Sequence, residues 1–130
     1  MMILCPHFLI DIMKNLVIIG AGGMGRTIFD VARESIGYGI EYTIKGFIDD
    51  NLSALDGFED YPPMLGTISH YLPEVDDVFT FSIGGESRRV CIEYLMERNA
   101  KFINIVHSTA RIGSNVRMGE GNVIGAFTSL

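Results

Sequence analysis

The chain has 130 residues, 48% of them hydrophobic and 20% charged, which is enough for one globular domain and little more. A net charge of −6 leaves no basic footprint for nucleic acid, and no stretch is long and apolar enough to span a bilayer. An acidic chain can still hold a small anion, provided that backbone amides grip it.

Residues 1–12 are apolar but contain Asp11 and lack a basic leader, so they read as an N-terminal extension and not as a signal peptide. Met13 reads as the natural beginning of the fold, and the extension is expected to be loosely held. Leu16 to Ile19 is a continuous apolar run, the mark of a strand covered on both faces. The glycine-rich segment Gly20 to Gly25 follows. Apolar residues then recur at Met24, Ile28, Val31, Ala32 and Ile36, one face at helical spacing, with Gly37 and Gly39 as stop signals. Tyr42 to Ile48 predicts a second strand closing on Asp49 and Asp50.

From Asn51 to Gly66 the pattern is irregular, with Asp56-Gly57 and Pro62-Pro63, and the length marks a candidate functional loop. A short helix is expected over Thr67 to Leu72 and a third strand over Val78 to Ile83, running into Gly84 and Gly85. Glu86 to Asn99 predicts the clearest helix, with Val90, Cys91, Tyr94 and Leu95 on one face and Glu86 at the positive end of its dipole. Phe102 to Val106 predicts a fourth strand. Strands alternating with helices give an α/β fold, a Rossmann-like parallel sheet flanked by helices over residues 13–107.

Beyond His107 the chain repeats with a period of six. Aliphatic residues stand at Ile112, Met118, Ile124 and Leu130, and glycine follows three of them, at Gly113, Gly119 and Gly125. Such a repeat implies a β-helix coil, with one aliphatic side chain per short strand pointing inward and a small residue where the backbone turns. Residues 108–130 therefore read as the start of a hexapeptide β-helix, truncated after its first, incomplete coil. About three repeats cannot bury a core alone, so the sequence reads as the front part of a longer protein, with a coil edge able to self-associate.

Gly20-x-Gly22-x-x-Gly25 stands after a strand and opens a helix, the setting of a phosphate-binding turn. Glycines let backbone N–H groups approach a diphosphate, and a helix N-terminus favours its charge. Gly23 and Met24 lie within the same turn. Asp49 and Asp50 stand where an acid would meet a ribose hydroxyl, although Asp-Asp-Asn is also good turn chemistry. Gly84 and Gly85 make either a second ligand-facing turn or a plain strand-to-helix loop. Ligands in parallel sheets sit at the carboxyl ends of the strands, where strand order reverses. If the first and third strands are neighbours, all three loops converge there.

No Ser/His/Asp set, zinc spacing or paired-carboxylate motif is visible, so no catalytic residue and no metal ligand is assigned. His7 and His70 read as surface residues, His107 as a turn residue at the junction, and Arg88 and Arg89 as solvated. Cys5 and Cys91 read as reduced thiols of a cytoplasmic protein. The tyrosines and phenylalanines read as core.

Together the segments Lys14 to Arg26, Gly46 to Asp50, Pro62 to Ile68, Phe81 to Gly85 and Ile105 to Gly113, with the hexapeptides, resemble the sialic-acid O-acetyltransferase family of bacterial sugar acyltransferases. That family includes N-acetyltransferases of nucleotide-linked amino sugars in surface-glycan biosynthesis. The resemblance covers Met13 to Leu130. It implies a Rossmann-like domain that binds a sugar or nucleotide-sugar, and a left-handed β-helix that binds acetyl-CoA and forms a homotrimer. It also implies a catalytic histidine in coils later than Leu130, so this chain is expected to hold substrate, to need no cofactor and to be inactive alone. Many relatives have histidine where this chain has Met24. Two other readings fit parts of the sequence: an NAD-binding oxidoreductase or regulator, from the glycine turn and the acid after the second strand, and a non-enzymatic nucleotide-binding remnant.

Overall fold

The computed structural model describes residues 13–130; the expectations for residues 1–12, Cys5 and His7 lie outside the described residues. Four parallel strands form the sheet: β1 (Lys14–Ile19), β2 (Tyr42–Ile48), β3 (Met64–Gly66) and β4 (Asp77–Phe81), in the order β3-β2-β1-β4. The central strand β1 is buried from Leu16 to Ile19, and its alternate residues serve two cores. Leu16 and Ile18 pack with Ile28, Phe29 and Ala32 of helix α1 (Gly23–Arg33). Val17 and Ile19 pack with Cys91 and Leu95 of helix α2 (Gly85–Glu97). A strand covered on both faces needs apolar residues at every position, which is why β1 has no polar alternation. The α/β class and the Rossmann-like parallel sheet are as the sequence predicts.

The strand expectations hold in position and shift in detail. β2 covers Tyr42–Ile48 as expected. Helix α1 stops at Arg33, three residues short of Ile36. The Ser35 hydroxyl donates to the Ala32 carbonyl at 2.9 Å, and the Ile36 N–H donates to the Val106 carbonyl at 3.1 Å, drawing the chain out of the helix. Ile36 and Met24 are exposed, so the buried stripe is Gly25, Ile28, Phe29 and Ala32. On α2 the buried pair is Cys91 and Leu95, one turn apart, while Val90 and Tyr94 face outward.

β3 lies inside the stretch expected to be irregular. Its neighbour Pro63 accepts the Phe47 N–H at 3.0 Å, so the two prolines sit where only a carbonyl is required. Thr67 to Leu72 makes a single turn and not a helix: the His70 and Tyr71 amides both donate to the Thr67 carbonyl. Arg98 holds that turn from outside, donating to the carbonyls of Ile68, Ser69 and Tyr71.

The β1–β2 register slips between Leu16 and Val17, leaving Lys45 as the extra residue of a bulge. Lys45 thereby reaches the buried Asp77 at 3.0 Å, and it also bonds Glu74 and the Tyr71 hydroxyl. Burial alone would lower the Lys45 pKa; its hydrogen bonds to Glu74, Tyr71 and Asp77 outweigh that and raise it. Burial, reinforced by the bond to Asp77, pushes Tyr71 up to about 12.

The expected fourth strand is divided. Phe102 bridges in parallel to Phe79 at the sheet edge, whereas β5 (Ile105–Val106) leaves the sheet and pairs in parallel with β6 (Val123–Ile124). Between them Asn104 turns its side chain to the Asn122 amide and the Gly119 carbonyl, both at 2.8 Å. Facing residues in this segment stand 18 positions apart: Ile105 with Val123, Val106 with Ile124, Asn104 with Asn122, and Thr109 with Phe127. Arg111 bridges to Ser129 in the same sense. That step equals three of the six-residue repeats. Of the three repeat glycines, only Gly113 stands close to another rung, where a Cβ would lie 3.2 Å from the Leu130 carbonyl oxygen. The left-handed glycine of the segment is instead Gly121, at φ +80°.

Candidate functional site

The register of the sheet assembles the site. Ile19 at the end of β1 pairs with Ile48 of β2 on one side and Phe81 of β4 on the other. The three following loops therefore leave from adjacent points on the carboxyl edge, as expected if the first and third predicted strands are neighbours. They are tied together there. The Gly20 amide donates to the Ile48 carbonyl at 2.8 Å, and the Ser82 amide to the Ile19 carbonyl at 2.9 Å. Ser82 Oγ lies 2.7 Å from the Ile19 oxygen and 3.1 Å from that of Gly20.

The glycines of the turn divide into two kinds. Gly20 has φ +99°, and a Cβ there would fall 2.3 Å from Ser82 Oγ. At Gly25 a Cβ would fall 2.0 Å from the Gly20 carbonyl oxygen. Gly25 is demanded by the seating of α1 on the end of β1, and Gly20 by its left-handed φ and the approach of Ser82 and Ile83 after β4. Gly22 and Gly23 are different. A Cβ at Gly22 meets nothing within 4 Å, and one at Gly23 meets only Arg26 Nη2, at 3.9 Å. Gly22 is the N-cap of α1, with no side-chain capping bond and no acid in the first turn. The helix thus begins with open amides and the positive end of its dipole facing free space. Met24 is exposed on the same turn.

Both carboxylates are engaged with backbone. Asp49 Oδ2 accepts the Ala21 N–H and Oδ1 the Asn51 N–H, each at 2.8 Å. Asp49 therefore braces the glycine turn against β2. Asp50 Oδ1 accepts the Ile68 N–H at 3.1 Å, and the residue is exposed beside the turn. Gly84 is the uncapped N-cap of α2, Gly85 has φ +68°, and neither has a neighbour that a Cβ would meet. In that turn Glu86 pairs with Arg89 at 3.0 Å, and Arg88 lies over the Phe81 ring.

Three residues enter the site without a sequence signal of their own. Ser82 fastens β4 to the glycine turn. Arg26 donates from Nη1 to the Ala21 carbonyl at 3.1 Å, and its guanidinium sits 3.8 Å from the centroid of the Phe58 ring. Phe58, expected in the core, is 47% exposed and belongs to the long β2–β3 connection. A guanidinium one turn into a helix and an aromatic 32 positions later cannot be matched by spacing alone.

Neither of the described histidines is bonded to the glycine turn. His107 is buried at the junction with the coil. Its Nδ1 accepts the Thr109 N–H at 3.0 Å, which leaves Nε2 as donor to Glu34 at 2.7 Å. It is a clasp between α1 and the coil and not an open turn residue. His70 is exposed, with Nδ1 beside the Thr67 and Ser69 hydroxyls. Cys91 is a free, buried thiol whose pKa is raised by burial and by the charges of Asp50 and Asp49. No metal-binding group is found among the described residues, and no helix of theirs is long and apolar enough to cross a membrane. A cleft of ≈ 390 Å³ lies at the opposite edge, lined by Lys14, Ser35, Glu41, Tyr42, Phe102 and Glu120 among others.

Comparison with known proteins converges on one group. Residues 15–95 match the family described as PglD N-terminal domain. A UDP-N-acetylbacillosamine N-acetyltransferase of Bacillus subtilis is 30% identical over 117 residues, covering 86% of this chain and 51% of that protein. The acetyltransferase domain of PglB from Neisseria gonorrhoeae, solved with acetyl coenzyme A, superposes with a TM-score of 0.68 at 27% identity, over 88% of this chain and 54% of its own. PerB from Caulobacter crescentus, solved with CoA and GDP-perosamine, shares the fold with a TM-score of 0.69 at 22% identity, over 92% of this chain and 55% of its own. The chain thus spans about half the length of the relatives it matches.

Proposed function

We propose, since the chain belongs to the PglD N-terminal domain family, that its glycine edge holds the diphosphate of a nucleotide-linked amino sugar for acetyl transfer. The observation that carries this reading is the division of the glycines. Gly20 and Gly25 are explained by packing, whereas Gly22 and Gly23 front empty space at an uncapped helix start. The Bacillus subtilis relative is a UDP-N-acetylbacillosamine N-acetyltransferase, and PerB, which shares the fold, is solved with CoA and GDP-perosamine. An amino sugar, and hence N-acetylation, fits these names better than the sialic-acid specificity of the wider family.

Asp49 bears on the NAD reading. Each oxygen of Asp49 accepts one backbone amide and keeps a second lone pair, so bracing the turn leaves a ribose contact open, and NAD and a sugar nucleotide are separated by titration. Asp50 is the carboxylate with exposure to meet a ribose or base, and Gly84–Gly85 flanks the opposite side of the turn.

Acetyl-CoA is the acyl donor implied by the relatives. The described coil offers two rungs with Arg111 and Arg117 exposed, too little to enclose a pantetheine arm, so none of these residues is assigned to it. His107 is clasped to Glu34 and Thr109, and His70 is held beside Thr67 in the turn after β3; neither is assigned as the base. The 18-residue register supports reading residues 108–130 as the start of a β-helix, with β5 just before it as part of the same ladder. A homotrimer in the bacterial cytoplasm belongs to the same reading, and light scattering tests the assembly. Calorimetric titration with a UDP-amino-sugar, a GDP-sugar and NADH tests the site. Binding of a sugar nucleotide without NADH is expected; tight NADH binding alone would refute the proposal.

A further inference from the structure

We infer that Arg26 is the diphosphate-positioning residue of this site and that Phe58 holds it ready. The inference rests on the reading above that the glycine edge takes a nucleotide diphosphate. Arg26 closes the first turn of α1, and its guanidinium lies across the outer side of the glycine turn. Nη1 is bonded to the Ala21 carbonyl, and Nη2 is the atom that a Cβ on Gly23 would approach, at 3.9 Å. A guanidinium has five N–H donors in a planar fork. The bond to Ala21 uses one, and the fork stands beside the open amides of Gly22 and Gly23. That is the arrangement in which an arginine and a helix start grip the same phosphate oxygens.

Phe58 makes this a prepared position. A free arginine side chain loses rotamer freedom when it binds, and a guanidinium already stacked at 3.8 Å on a ring has lost it beforehand. The stack also draws the β2–β3 connection towards the glycine turn, so one contact serves both walls. Charge points the same way. The chain carries −6 overall, and Asp49 and Asp50 stand beside the turn. A cation beside the open amides offsets the repulsion of these carboxylates for a diphosphate. Arg89 is paired with Glu86, and Arg88 stacks on Phe81 more loosely, at 5.2 Å against 3.8 Å for Arg26 on Phe58, without the hydrogen bond to the glycine turn that Arg26 makes. Arg33 is paired with Asp30 at the far end of α1.

The competing role is structural: Arg26 only latches the connection. The two separate in how the phosphate and nucleoside parts of the ligand respond. UDP, GDP, uridine and guanosine are titrated by NMR into the wild-type chain and into Arg26→Ala, Arg26→Lys and Phe58→Leu, with circular dichroism confirming the fold. Arg26→Ala is expected to weaken the diphosphates about tenfold, to leave the nucleosides unchanged and to flatten the salt dependence of diphosphate binding. Arg26→Lys should recover part of the loss, and Phe58→Leu should lose about threefold. Equal weakening of diphosphate and nucleoside, or a diphosphate Kd and salt dependence unchanged in Arg26→Ala, overturns the inference while leaving the site reading in place. A folded wild-type chain that binds neither UDP nor GDP brings down the site reading and this inference with it.

Discussion

Replacing Gly25 and Gly23 by alanine, one at a time, separates the two jobs given to the glycine turn. A Cβ on Gly25 would sit 2.0 Å from the Gly20 carbonyl oxygen, 2.8 Å from its carbon and 3.1 Å from Ser82 Oγ. Side-chain carbons do not approach backbone oxygens closer than about 3 Å, so the helix start must retreat by roughly 1 Å from the end of β1. That movement loosens Ile28, Phe29 and Ala32 from the core and pulls on the Ser82 bonds. Overpacking of this kind costs about 1–3 kcal/mol, and the gain from alanine in a helix returns at most ~1 kcal/mol. A net loss of about 2 kcal/mol is expected for Gly25→Ala. With a urea m-value of about 2 kcal/mol/M, the unfolding midpoint should drop by about 1 M. Gly23→Ala adds a methyl group to open space, so its midpoint should stay within about 0.3 M of wild type or rise. The same methyl stands where the diphosphate is proposed to lie, so sugar-nucleotide affinity should fall without loss of stability. Equal midpoints for wild type and Gly25→Ala would refute the packing assignment, and undiminished sugar-nucleotide binding by Gly23→Ala would refute the ligand assignment.

Asp49→Asn places an amide where two backbone N–H groups need acceptors. It should cost about 1–3 kcal/mol in urea unfolding and loosen the Ala21 amide in hydrogen exchange. The Lys45–Tyr71–Asp77 cluster predicts alkaline sensitivity. Tyr71 is pushed up to about 12 from an ordinary 10.0, so the folded chain keeps a proton that the unfolded chain releases. Stability must then fall as pH rises from 10 to 12, by roughly 2 kcal/mol. Lys45, also raised, adds to the fall beyond its ordinary 10.5. Unfolding of Tyr71→Phe followed across that range should show a flatter profile; an identical slope would exclude Tyr71 as its source. His107→Ala removes the bonds to Glu34 and Thr109 and should expose the Ile105–Val106 and Val123–Ile124 amides to exchange before those of β1.

The legible parts of the fold are those in which one physical demand dominates. β1 is plain because burial on both faces forces four consecutive aliphatic residues, and β2 is bounded by a glycine-rich turn before it and two acids after it. β3 has three half-buried residues behind a proline pair, and its pairing is set by the neighbouring β2 backbone more than by its own side chains. The outward face of α2 misleads because Val90 and Tyr94 continue the apolar count one row beyond what the sheet covers. Ile36 misleads for another reason. It fits the helical period, but Ser35 and Ile36 are recruited to pair with the Val106–His107 segment, a contact about 70 residues away.

The candidate site shows the same division more sharply. A glycine motif is one string in sequence and two sets of residues in space, and only the neighbours of each missing Cβ tell them apart. Gly20 and Gly25 are fixed by Ser82 and by each other. Spacing alone gives them the same weight as Gly22 and Gly23, although a turn that bound nothing would need them just as much. The same holds for the acids. The position after β2 marks Asp49, yet its two oxygens are tied to the Ala21 and Asn51 amides, and the more exposed carboxylate beside the turn is Asp50. Recognition at this edge therefore depends on groups whose positions are set by long-range packing: the open amides of α1, the exposed Asp50, and a cation held by an aromatic from a different loop. It follows that changing Phe58 should alter ligand affinity more than changing Gly20-facing Ser82 to threonine alters it, since Ser82 acts only on the rear of the turn. Finding the larger effect at Ser82, with stability unchanged, would mean that the ligand enters from the β4 side and not over Gly22 and Gly23.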